Sequence, residues 1–81
     1  MTLTLRVQYF ALLREQAGRN EERVTTTAAT PAELYAELKA RYPFKLTRDQ
    51  LKVAVNAEFR DWATPLADGD SVVFIPPVAG G

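Results

Sequence analysis

Chemistry in an 81-residue chain rests on few side chains, and two of the usual ones are missing: there is no Cys and no His. That removes disulfides, a thiol nucleophile, an imidazole base and the nitrogen- or sulfur-ligated zinc sites. Among the remaining ionisable residues, Asp68 and Asp70 flank Gly69. Paired carboxylates can bind a cation, but Asp-Gly is ordinary turn chemistry and the bland reading prevails. Glu33 and Glu37 stand one helical turn apart, the first suited to capping and the second to a solvated face. Arg6, Arg14, Arg41 and Arg60 are scattered and form no basic run. Trp62 reads as a packing residue near Pro65 and Leu66. None of these carries a reaction.

The closing residues are different. Pro76-Pro77-Val78-Ala79-Gly80-Gly81 holds two of the four glycines at its very tip. The prolines favour an extended, polyproline-like backbone and deny it further sheet pairing. Six extended residues at about 3.3 Å each reach roughly 20 Å. A tip without side chains fits a channel too narrow for a Cβ. Frayed termini are usually polar and arbitrary, whereas this segment is apolar, stiff at its base and bare at its end. It therefore reads as a functional tail, residues 76–81, on a domain formed by residues 1–75.

A body that presents such a tail needs a sheet. In the first segment Leu3, Leu5, Val7 and Tyr9 alternate with Thr4, Arg6 and Gln8, the pattern of a half-buried strand. Ala11 to Ala17 are good helix formers closed by Gly18. Arg19 to Glu22 form a polar turn, and Arg23 to Thr27 are rich in β-branched residues and form a second strand. Thr30, Pro31 and Glu33 make a strong helix start. Leu34, Leu38 and Tyr42, with Tyr35 beside them, then give the helix Ala32 to Tyr42 one core-facing stripe. Pro43 ends it, and Lys45 to Leu51 is irregular with room for one extra helical turn.

Lys52 to Val55, the turn Asn56-Ala57, and Glu58 to Arg60 read as a hairpin. After Asp68-Gly69-Asp70, Ser71 to Ile75 is the most apolar strand and suits the middle of a sheet. The long helix crosses over to pack Leu34 and Leu38 on one face, giving an α+β architecture. Leu3, Leu5, Val7, Leu34, Leu38 and alternate residues of Val72 to Ile75 form its core. Phe10 has the opposite parity to the inward set, Phe59 follows a tight turn, and Ile75 sits at the tail's base. Three apolar side chains that cannot all reach one small core suggest a partner-binding patch.

Taken together, Pro65-Leu66-Ala67-Asp68-Gly69-Asp70, the apolar strand, Pro76-Pro77-Val78, Ala79 and Gly80-Gly81 resemble the small subunits of molybdopterin synthase, within the ubiquitin-like β-grasp sulfur carriers. Val7 to Ala11 with Arg14-Glu15, and Ala54-Val55-Asn56, fit as well. The resemblance runs over nearly the whole chain and is most specific in its last seventeen residues; Phe44 to Leu51 match no motif, and Thr25 to Thr27 are more polar than the pattern. It implies a ubiquitin-like β-grasp fold with a mixed sheet of about five strands, one main crossover helix and an extended Gly-Gly tail.

It further implies that the Gly81 carboxylate is adenylated by a ubiquitin-activating-type adenylyltransferase using ATP and converted to a thiocarboxylate. The tail (Gly80, Ala79, Val78, Pro77 and Pro76) would then insert into the large subunit of a heterotetramer of two small and two large subunits. There it would give sulfur to a cyclic pyranopterin phosphate to build a dithiolene. No cofactor is expected on the chain itself, and the chain supplies no catalytic side chain. Three other readings stay open: a carrier for thiamine or cysteine synthesis, a protein modifier ending as an isopeptide, and an interaction domain with an inert tail.

Composition agrees with this outline. Ten Lys plus Arg balance ten Asp plus Glu, without the basic excess of a nucleic-acid binder. No run approaches a membrane span, and the alternating start from Met1 to Arg6 is unlike a signal peptide. A cytoplasmic protein is expected.

Overall fold

The computed structural model describes residues 2–77. The elements are β1 (Leu3–Tyr9), α1 (Ala11–Ala17), β2 (Glu21–Thr26), α2 (Pro31–Arg41), a 3-10 turn at Arg48–Gln50, β3 (Lys52–Val55), β4 (Glu58–Arg60) and β5 (Ser71–Ile75). One mixed sheet has the order β2-β1-β5-β3-β4. β1 runs parallel to β5, and the other three pairings are antiparallel. This is the ubiquitin-like β-grasp, with the first and last strands side by side at its centre.

Alternation decides which face is covered. Leu5, Val7 and Tyr9 of β1, Val72 and Phe74 of β5, and Val53 of β3 are buried with Leu13 of α1 and Leu34, Tyr35 and Leu38 of α2. Both helices thus serve the same core. Leu3 is half-buried and packs against that core from its end. Aromatic rings fill much of the interior: Tyr35 stacks on Phe44 at 5.8 Å between centroids, and Trp62 on Phe74 at 5.9 Å. Such pairs contribute beyond their buried area, by about 1 kcal/mol each.

Several local expectations shift by a residue or two. α2 spans Pro31–Arg41, with Tyr42 already extended at its end. Thr30 Oγ1 accepts from the Glu33 N–H (3.3 Å), but the Glu33 carboxylate accepts from the Ala29 N–H (2.8 Å), one residue before the expected cap. β2 starts at Glu21, not Arg23, because Gln8 and Val7 pair with Glu21 and Glu22. Glu37 is not on a solvated face; it is half-buried and accepts from the Thr26 hydroxyl (2.7 Å). That bond, with one from the Ala28 N–H to Thr26 Oγ1 (2.9 Å), makes a polar residue tolerable in the core at the end of β2.

The Asp-Gly-Asp turn is a clip. Asp68 Oδ1 accepts from the Thr4 N–H (2.7 Å), Asp70 Oδ2 from the Ala67 N–H (2.9 Å), and Asp70 Oδ1 from the Asn56 side-chain amide (3.0 Å). Gly69 takes a positive φ of 87° that favours glycine. Both carboxylates are engaged in backbone and amide bonds, and among the described residues no cluster of acidic, His or Cys side chains could hold a metal ion.

Candidate functional site

One face of the sheet carries no helix. Its residues follow from register: across the strands, Glu21, Gln8, Val73, Ala54 and Phe59 stand in one row. Ile75 pairs with Lys52 in the next row. Phe10 continues β1 in extended conformation (φ −121°, ψ 151°), so it turns away from the core and comes level with Ile75. Phe59 is 70% exposed and Phe10 47%, while Ile75 is half-buried. The open face therefore bears an apolar patch at the end where β5 leaves the sheet. Exposed aromatics at two sides of one open apolar face, with Ile75 and Val73 between them, are a mark of a docking surface.

Pro76 and Pro77 follow β5 directly and lie outside any strand, Pro76 half-buried and Pro77 exposed. The central strand thus leads to the segment singled out from the sequence. Val78, Ala79, Gly80 and Gly81 lie outside the described residues.

A half-buried carboxylate with four favourable partners sits elsewhere, on the helix side. Glu22 accepts hydrogen bonds from the hydroxyls of Tyr9 and Tyr42, each 2.6 Å, and stands 3.4 Å from Arg19 and 4.0 Å from Arg41. Burial works to raise its pKa, but the two hydroxyls and two guanidinium groups outweigh it and hold the carboxyl below its ordinary range. Burial and the same carboxylate push Tyr9 and Tyr42 upward. The cluster joins β1, β2 and the end of α2, and is structural.

Sequence reasoning missed Val73 and Ala54, whose outward parity places them between Ile75 and Phe59 in the patch. The alternation within Ser71 to Ile75 was the available signal. For Ala54 there was none, since a small residue buried beneath its neighbours on an open face reads as core.

The fold and the sequence are both shared with known proteins. The family model described as the ThiS family matches residues 7–81. The chain belongs to that family. It is 35% identical over 80 residues to the molybdopterin synthase sulfur carrier subunit of Escherichia coli (strain K12), covering 95% of this chain and 99% of that protein. SAMP1, a small archaeal modifier protein from Haloferax volcanii, superposes with a TM-score of 0.81 at 28% identity, covering 96% of this chain and 99% of that one. In the complex of subunits 1 and 2 of the molybdopterin-converting factor from Helicobacter pylori, the matching chain has a TM-score of 0.66 at 30% identity, covering 98% and 100%. This ThiS-family chain thus covers nearly the whole length of these relatives. Among its described residues no helix is long and apolar enough to cross a membrane.

Proposed function

We propose that this chain is the sulfur carrier subunit of a molybdopterin synthase acting in the cytoplasm. The observation that carries the reading is the placement of Ile75 and Pro76: the central strand leaves the sheet at the edge of an exposed apolar face. A partner covering Phe10, Val73, Ile75 and Phe59 then lies beside the emerging tail. The full-length likeness to the E. coli sulfur carrier and to a chain of the H. pylori two-subunit complex supports the same reading.

In this reading the Gly81 carboxylate attacks the α-phosphorus of ATP in an activating adenylyltransferase, releasing pyrophosphate and forming an acyl adenylate. Activation is needed because a carboxylate is a poor electrophile. Sulfur at the oxidation level of hydrosulfide then adds to the acyl carbon, AMP leaves and the thiol proton is lost, so that the tail ends in a thiocarboxylate. Residues 76–81 insert into the large subunit, which supplies acid, base and anion-binding groups, and the sulfur passes to a cyclic pyranopterin phosphate. The same apolar face meets both partners, so they compete. The likeness to SAMP1 favours a second reading, in which Gly81 ends in an isopeptide bond to a protein lysine.

Intact mass spectrometry of the protein co-produced with its activating enzyme separates the two. The carrier gains the mass of one oxygen-to-sulfur exchange, whereas the modifier appears as a ladder of conjugates. Deleting Gly81 withdraws the carboxylate by one residue and abolishes both AMP release and sulfur loading, with the fold unchanged. A displacement of about 1 Å at a reacting centre is enough to lose on the order of 100-fold. A Gly81 deletion that still accepts sulfur and supports dithiolene formation refutes the mechanism.

A further inference from the structure

The open face has a second character at its other end. Arg6 of β1 and Arg23 of β2 are direct cross-strand partners, both exposed, on the same side of the sheet as Gln8, Val73 and Phe59. Side chains directly opposite on antiparallel strands have Cβ atoms about 5 Å apart, and like charges in that position are unfavourable. Three other arginines, Arg19, Arg41 and Arg60, have carboxylate partners within 4.0 Å. Among the described residues Arg6 and Arg23 have none, nor have Arg14 and Arg48, but only Arg6 and Arg23 stand opposite one another across a strand pair. Asp68, Glu21 and Glu22 border the same hollows as the two arginines but stand beyond 4.0 Å of them and bond elsewhere: Asp68 Oδ1 accepts from the Thr4 N–H, Glu22 accepts from the two tyrosines, and Glu21 accepts from the Gln8 amide (3.4 Å). Arg6 also pairs with Ser71 at the start of β5, which adds a hydroxyl to the hollow between the arginines and the Asp-Gly-Asp turn.

The pair stands two residues along β1 from the row of Gln8 and Val73, a distance of about 7 Å. It is therefore continuous with the apolar patch and lies at the end of the face remote from the tail. We propose that Arg6 and Arg23 form the second anchor of the docking face, and that the partner covering it presents carboxylate side chains to them. Two guanidinium forks side by side match paired carboxylates, and a partner that brings those charges relieves a repulsion present in the free chain. Apolar contact at one end and charge pairing at the other fix which way round the partner sits, and so aim its channel at the tail. This rests on the carrier reading above, which supplies the partner.

The test measures association of the full chain with the purified large synthase subunit at low and at moderate salt. The double variant Arg6→Glu/Arg23→Glu is expected to bind about tenfold more weakly, mostly through a slower association rate, and to lose most of the salt dependence. Phe59→Ala is expected instead to speed dissociation and leave the salt dependence intact. The single variant Arg23→Glu places opposite charges across the strands, so its melting temperature holds or rises while its binding falls. A purely structural role for the pair would move stability and binding together.

Binding by the double variant equal to that of the wild type overturns this inference and leaves the carrier reading standing. Inorganic phosphate that shifts the Arg6 and Arg23 amide resonances while binding stays unaltered by the variants also overturns it, in favour of a small-anion site. If the wild-type chain does not bind the large subunit at all, the carrier reading falls and this inference falls with it.

Discussion

At the scale of single residues, Glu22 shows how one acid can hold three segments. Removing its carboxylate leaves two tyrosyl hydroxyls without acceptors beside the core, and Glu22→Ala should cost about 2–4 kcal/mol by thermal or urea unfolding. The linked pH dependence has a definite sign. Because the folded-state pKa of Glu22 is lowered, its contribution is present above the carboxylate value of the unfolded chain and is lost as pH falls through the folded value. Tyr9, Tyr35 and Tyr42 are raised, so the folded state keeps their protons longer than the unfolded chain; stability declines as pH climbs past the ordinary phenol value near 10. Denaturation followed from acid to alkaline pH should give a plateau that falls at both ends. Glu22→Ala should flatten the acid side, and an unchanged acid limb would show that Glu22 does not govern it.

Among the elements, the β3–β4 hairpin depends on a two-residue turn with both φ angles positive, 52° at Asn56 and 70° at Ala57. Asn tolerates that region and uses its side chain twice: Oδ1 accepts from the Ser71 N–H (3.0 Å), and Nδ2 donates to Asp70. Ala57 gains nothing there. Ala57→Gly should therefore stabilise the protein by about 1 kcal/mol, and Asn56→Ala should destabilise it by about 1–2 kcal/mol. Equal melting temperatures for the two variants would contradict this account of the turn. The hairpin was legible from sequence because turn chemistry is local, and so were the Gly18 and Thr30 caps. The inward and outward sets of β1 followed from alternation alone. What could not be read was register. Nothing in the sequence around Arg6 points to Arg23, and Glu37 looked solvated until Thr26 was placed against it. Phe44, in a stretch with no motif, is buried against Tyr9, Tyr35 and Tyr42 because a loop returned it to the core.

For the molecule as a whole, the decisive strand is β5. It alone joins the β1–β2 pair to the β3–β4 pair, and it contributes Val72 and Phe74 to the core beneath α2. A chain cut after Asp70 retains two strand pairs, β1–β2 and β3–β4, with no ladder between them, and isolated two-stranded sheets are marginal in water. Such a fragment should lack a cooperative thermal transition by circular dichroism; a sharp transition would mean that the halves fold without their central strand. The order of synthesis gives this topology a further meaning. A ribosome makes β5 after the other described elements, so a growing polypeptide cannot close this sheet until the residues up to Ile75 have been polymerised. Prematurely terminated products stay open to proteases, and only translation as far as Ile75 yields a body able to present a tail. The closed sheet thereby records that synthesis has passed Ile75.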